Sequence, residues 1–141
     1  MNIFICASKH CYNHIPPVKE QLEGLGHNIT LPNSFDDPMQ EERLKAEPKK
    51  HKEFKDRMFH RQIEKITQCD ALLIINEEKA GIPNYIGGSV LLEMYEAWRQ
   101  GKIIYLWNNI PDNMLKDEIA GLDPIILNKD VQKLNNNITN K

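Results

Sequence analysis

One stretch limits the fold of this chain more than any other: Asp70-Ala71-Leu72-Leu73-Ile74-Ile75-Asn76, an unbroken apolar run between two polar residues. A strand with one wet face alternates apolar and polar side chains. A continuous run therefore belongs mid-sheet, in parallel company, with helices over both faces. Ile3-Phe4-Ile5-Cys6-Ala7 and Ile103-Ile104-Tyr105-Leu106-Trp107 have the same character, and Asn28–Leu31 and Pro124–Leu127 read as shorter strands.

Helical spacing fills the gaps between these runs. Ile15, Val18, Leu22 and Leu25 form a stripe that opens on Pro16 and Pro17 and ends at Gly24 and Gly26. From Lys49 to Gln68 the stripe Phe54, Met58, Phe59, Ile63, Ile66 backs onto a strongly charged face. Leu91, Met94, Tyr95 and Trp98 predict the buried side of a helix over Val90–Gln100, which Gly101 stops, and Asp112–Ala120 predicts a shorter one. Residues 33–48 are polar and show no period, so a loop or short irregular helix able to lie over a site is expected there. A chain of 141 residues with 40% apolar content has material for one core. The expected fold is a three-layer α/β domain over residues 1–134, with a short doubly wound parallel sheet of about five strands, flavodoxin- or Rossmann-like. The Asn-rich segment 135–141 is expected to be a flexible tail.

Charge narrows the partners. The 18 Lys and Arg against 20 Asp and Glu give a formal charge of -2, which supplies no global field to draw in nucleic acid or an acidic membrane. The mixed signs between Arg43 and Arg61 read as a solvated helix face. No apolar run approaches the roughly 20 residues of a membrane span. Met1 leads into Asn2-Ile3-Phe4 without a basic leader region, so the expected location is cytoplasmic. Cys6, Cys11 and Cys69 are an odd set without CxxC spacing, which fits reduced thiols. Cys6, His10, Cys11 and His14 are metal-ligating types, but their spacing matches no standard zinc module, and no metal is expected.

In a doubly wound sheet the ligand crevice opens beyond the carboxyl ends of the strands. Three groups of residues are candidates for it. In the loop from strand one into a helix start, Ser8, Lys9, His10 and Asn13 can meet a phosphate or a sugar hydroxyl, unless the loop is merely solvated and Asn13 a helix cap. Gly87-Gly88-Ser89 lets backbone approach a ligand, or simply caps the next helix; it has neither GxGxxG spacing nor a GK[ST] ending. Glu93, four residues after Ser89, is expected to flank the glycines outside the apolar stripe and to present an accessible carboxylate. Asp70 is expected to stand opposite as a second carboxyl, since two carboxyls in different environments divide catalytic roles. The plainer readings are a surface Glu93 and a strand-entry Asp70.

Set side by side, Ile3-Phe4-Ile5-Cys6-Ala7-Ser8, Cys69-Asp70-Ala71-Leu72-Leu73-Ile74, Gly87-Gly88-Ser89-Val90-Leu91-Leu92-Glu93-Met94-Tyr95-Glu96-Ala97 and Gly101-Lys102-Ile103-Ile104-Tyr105-Leu106 resemble the nucleoside 2-deoxyribosyltransferase family, including its 2'-deoxynucleoside 5'-phosphate N-hydrolases. The resemblance covers most of residues 2–107, and the block around Glu93 is its most specific part. It implies that Glu93 attacks the anomeric carbon of a deoxyribosyl group, that Asp70 helps arrange the site, and that Ser8 and Ser89 lie near sugar or phosphate. It also implies a small nucleoside or nucleotide partner, no cofactor, and a homodimer, because relatives commonly complete their sites across an interface. Two departures stand out. Phe4 replaces the family's strand-one tyrosine, for which Tyr12, Tyr85 or Tyr95 could substitute, and Asn84-Tyr85-Ile86-Gly87-Gly88-Ser89 replaces its Asp-Ser-Gly. Lys9, His10 and His14 favour a 5'-phosphate. Two functions follow: cleavage or transfer of an N-glycosidic bond, or a nucleotide-binding module that kept the pocket without turnover.

Overall fold

The computed structural model describes residues 1–134; the predicted tail at 135–141 lies outside the described residues. Strands β1 (Asn2–Cys6), β2 (Asn28–Thr30), β3 (Ala71–Ile74), β4 (Ile103–Leu106) and β5 (Ile125–Ile126) alternate with helices α1 (Ile15–Gly24), α2 (Gln40–Leu44), α3 (Pro48–Gln68), α4 (Gly88–Arg99) and α5 (Lys116–Gly121). All four strand pairings are parallel, in the order β2-β1-β3-β4-β5. This is the flavodoxin-like order, in which the chain reverses direction between β1 and β3.

The strands alternate between two cores. Ile3 and Ile5, Leu73 and Ile75, and Tyr105 and Trp107 face α1 and the segment carrying Val131 and Leu134. Phe4 and Cys6, Leu72 and Ile74, and Ile104 and Leu106 face α3, α4 and α5. Every residue of β3 is buried, as a strand covered on both faces must be.

Two glycines end helices where the backbone must turn left-handed. At Gly26 (φ 91°) the His27 N–H reaches Leu22 O at 3.2 Å and the Gly26 N–H reaches Glu23 O at 3.0 Å. At Gly101 (φ 73°) Lys102 N–H donates to Ala97 O and Gly101 N–H to Trp98 O. Both are Schellman closures, which satisfy the last carbonyls and aim the chain into β2 and β4.

Two predicted stripes need correction. On α3 the buried positions are Phe54, Met58 and Ile66, while Phe59 and Ile63 are exposed. On α4 the inward face is Val90, Glu93, Met94 and Ala97; Leu91 is half-buried, and Tyr95 and Trp98 stand 54% and 51% exposed, their rings 5.8 Å apart. The two stripes on α4 overlap at Met94, and apolar spacing alone favours the wrong one because the true one contains a carboxyl. Trp107, by contrast, is in the core.

Just beyond β3, fully buried Asn76 ties two loops together. Its Nδ2 donates to Asn108 O (3.2 Å) and Asn109 O (3.0 Å), and its Oδ1 accepts from Asn108 N–H (2.8 Å). With every polar atom of its side chain satisfied, Asn76 fixes the carboxyl ends of β3 and β4 against each other.

Candidate active site

The reversal between β1 and β3 leaves a gap over their carboxyl ends. The turn after β1 winds into a 3₁₀ segment (Lys9–His14), the loop after β3 runs from residue 75 to 87, and α2 with the middle of α3, from Phe54 to Gln62, closes the top. Between them lies a cavity of about 310 Å³, at the small end of the range for ligand sites. The segment 33–48, expected as a loop or short helix over a site, supplies part of this wall through Asn33, Ser34, Glu41, Glu42 and Lys45.

Ser8, Lys9, His10, Gly87, Gly88, Ser89 and Glu93 all line the cavity. Asn13 does not: it is exposed on the 3₁₀ turn, outside the lining, and the α1 N-cap is His14. Asp70 does not either. It precedes β3, is exposed, and its Oδ2 accepts the Asn2 N–H at 2.7 Å. A strand rises about 3.3 Å per residue, so Asp70 belongs to the amino edge of the sheet, the far end from the crevice. It anchors the start of β1 and leaves Glu93 without the second carboxyl expected opposite it. His14 also points elsewhere, with Nδ1 3.7 Å from Glu77 Oε2. Among the described residues no group of three or more His, Cys, Asp or Glu is arranged to hold a metal ion.

Glu93 is only 6% exposed, although a flanking, accessible carboxylate was expected. Burial raises its pKa to about 8, against the partial relief given by the Cys6 thiol and by the nearby charges of Lys65 and Lys55. At neutral pH it is therefore mostly protonated. Tyr12, also in the lining, is pushed well above the ordinary phenol range by burial and then by Glu93. It keeps its proton at every working pH. Tyr85 lines the cavity as well, whereas Tyr95 lies on the exposed side of α4.

The rest of the lining is strongly cationic. Lys9 and Lys45 both bond Glu42, which falls to about 2 under the hydrogen bond from Lys9 and then that from Lys45. Lys55 stands 3.1 Å from Glu41; burial works to raise that carboxyl, but the Lys55 and His51 bonds lower it on balance. His10 is lowered by desolvation and by Lys79 and Lys9, which favours its neutral form. Among the described residues no carboxylate lies within 4 Å of Lys79, whose Nζ is 3.3 Å from Tyr85 Oη and 4.5 Å from the centre of that ring. Four lysines thus face two ionised carboxylates, leaving positive charge in excess.

Lys79 and Tyr85 belong to the loop before Gly87. A Cβ on Gly87 would come 3.2 Å from Tyr85 Oη, so the glycine allows the ring its place. Next to it, Gln62 Nε2 donates to Ser89 Oγ at 3.0 Å, joining α3 to the first turn of α4. Sequence reading missed Lys79, Lys45, Lys55 and Gln62. The signal for Lys79 was available, since a loop that follows the central strand at a reversal point must border the crevice.

No family model and no curated protein matches the chain. The resemblance noted above therefore rests on its own residues.

A buried carboxyl that holds its proton has a consequence for stability. The unfolded chain releases the Glu93 proton near 4.5 and the folded chain near 8, so between those pH values the folded state binds more protons and stability falls as pH rises. Glu93→Gln removes that dependence. It is expected to match wild type near pH 4 and to exceed it at pH 7 by on the order of 3 kcal/mol in urea denaturation. A difference that stays constant with pH would contradict the buried, protonated carboxyl.

Proposed function

We propose that the protein cleaves or transfers the N-glycosidic bond of a (deoxy)nucleoside 5'-monophosphate, with the nucleoside as the poorer substrate, and that Glu93 is the nucleophile. The observation that carries this reading is the Glu93 carboxyl in the lining of a cation-rich cavity at the β1/β3 reversal.

In the proposed reaction a Glu93 oxygen attacks C1' as the C1'–N bond breaks, and the base departs with its electron pair and takes up a proton. Tyr12, which shares the cavity lining and keeps its proton, is the donor in this reading: the Glu93 charge that holds its acidity down is lost as the carboxylate becomes an ester, and Tyr12 is left as tyrosinate. Water or a second base then attacks C1' and gives its proton to the Tyr12 oxygen, as the ester bond breaks and Glu93 leaves as a carboxylate. Only the ionised carboxyl can attack, so kcat/KM should climb with pH to a limb near the Glu93 value of about 8. Lys79, which no carboxylate among the described residues opposes, and the N–H groups at the start of α4 suit the 5'-phosphate.

A second reading has support too: the protonated Glu93 and the distant Asp70 are compatible with a nucleotide-binding module without turnover. Free base followed by chromatography from a panel of nucleosides and 5'-monophosphates, ribo and deoxy, separates the two. Base is expected from wild type and not from Glu93→Ala. Lys79→Met should lower kcat/KM about 10- to 100-fold for the monophosphate and leave the nucleoside unchanged. Monophosphate binding in calorimetry with no base released, with or without an acceptor base, would replace the enzyme with the binding module.

The proposal includes a homodimer formed by a second copy against the exposed face of α3 and α4, where Phe59, Ile63, Leu92, Tyr95 and Trp98 reach solvent. Light scattering should give twice the chain mass for wild type and the chain mass for Trp98→Arg. A monomeric wild type at micromolar concentration would refute it.

A further inference from the structure

The cavity wall already carries an anion bound between two lysines. Glu42, in α2, accepts a hydrogen bond from Lys9, on the turn after β1, and another at 2.9 Å from Lys45, at the end of its own helix. All three residues line the cavity. The side chains of Lys9 and Glu42 are 24% and 34% exposed, so the pair is partly withdrawn from water. Under the two bonds the Glu42 carboxyl falls to about 2 and is ionised at every working pH.

We propose that Glu42 is a specificity-determining residue: its carboxylate occupies Lys9 until a phosphate dianion takes its place, which an uncharged nucleoside cannot do. The inference rests on the reading of the ligand as a 5'-monophosphate. A phosphate monoester near neutral pH carries almost two negative charges and three acceptor oxygens, so it is a stronger partner for an ammonium than a carboxylate is. A 5'-hydroxyl has no charge and leaves the Lys9–Glu42 pair closed.

The exchange leaves neither Lys9 nor Glu42 without a partner. Lys9 passes from Glu42 to phosphate, while Glu42 keeps Lys45, three residues on. α2 has no buried residue, so polar contacts hold it over the cavity. Two of these, from Glu41 to Lys55 at 3.1 Å and to His51 at 3.3 Å, tie it to α3 and do not involve Lys9. Lys79, which no carboxylate among the described residues opposes, is open to any anion. Lys9 is the lysine that discriminates, because a ligand must displace Glu42 to reach it.

The experiment titrates the full chain with inorganic phosphate, read at the backbone amides of Ser8 and Gly88 in the cavity lining, for wild type, Glu42→Gln, Lys9→Met and the double variant. KM for base release from a 5'-monophosphate and from its nucleoside is measured in parallel. Glu42→Gln should lower the phosphate Kd and the monophosphate KM about 3- to 10-fold, the scale of one partly exposed ion pair and a nearby like charge, and leave the nucleoside KM unchanged. In the Lys9→Met background that gain should be lost to within about 2-fold. Asp37→Asn removes the same charge just before α2, outside the cavity lining, and should bind phosphate as wild type does. Should Glu42→Gln not fold, Glu42→Ala gives the same readout. Equal or weaker phosphate binding in Glu42→Gln, a full gain without Lys9, or no phosphate binding by any of the proteins would overturn the proposal. If wild type releases no base the glycosidic reading fails, while the phosphate titration still decides the role of Glu42.

Discussion

Coverage of β3 on both faces is the constraint on which the rest of the structure depends. Leu73 and Ile75 face one core, Leu72 and Ile74 the other, and no face of the strand is left for solvent. Helices must therefore lie on both sides of the sheet. A parallel connection must also cross over one face or the other, so the chain that built β1-α1-β2 outward on one side has to return for β3 on the other. The return opens the gap between the turns after β1 and β3. The cavity occupies this gap, and Asn76, outside the lining, ties the loops after β3 and β4 to each other.

Within that frame Glu93 is a local conflict. Its place in α4 belongs to the apolar inward face, beside Val90, Met94 and Ala97, yet it carries a carboxyl whose burial favours the neutral form. Residues that oppose the fold in this way mark functional sites more often than core positions do, because stability alone gives no reason to keep them. The surrounding groups moderate the conflict without removing it: the Cys6 thiol from β1, and Lys65 and Lys55 from α3. A bound phosphate would bring negative charge of its own, and Lys79, Lys9 and the start of α4 lie on the cavity wall to meet it.

The strands, their parallel arrangement and the helices between them were legible in the sequence, because apolar runs and glycine stops report burial directly. Ser8, Lys9, His10, Gly87, Gly88, Ser89 and Glu93 were legible as one neighbourhood from the rule that strand carboxyl ends meet at the crevice. Tyr95 and Trp98 were misplaced because hydrophobic spacing cannot recognise an inward face that contains a carboxyl. Asp70 was misplaced for a simpler reason: it precedes its strand, and strand polarity alone sends it to the amino edge. Lys45, Lys55 and Gln62 were out of reach, since their approach to the cavity depends on how α2 and α3 fold over it.

The central claim is that Glu93 attacks a sugar carbon, and the most direct measurement is to trap the resulting ester. A 2'-deoxy-2'-fluoroarabinosyl nucleoside 5'-monophosphate slows both steps, because the fluorine disfavours the oxocarbenium-like transition states, and the ester accumulates where its breakdown is the slower of the two. Mass spectrometry of the digested protein should find the fluorinated sugar phosphate on the peptide that holds Glu93, matched by one equivalent of free base. An adduct on another residue, or no reaction with this or any natural monophosphate, would contradict a nucleophilic Glu93.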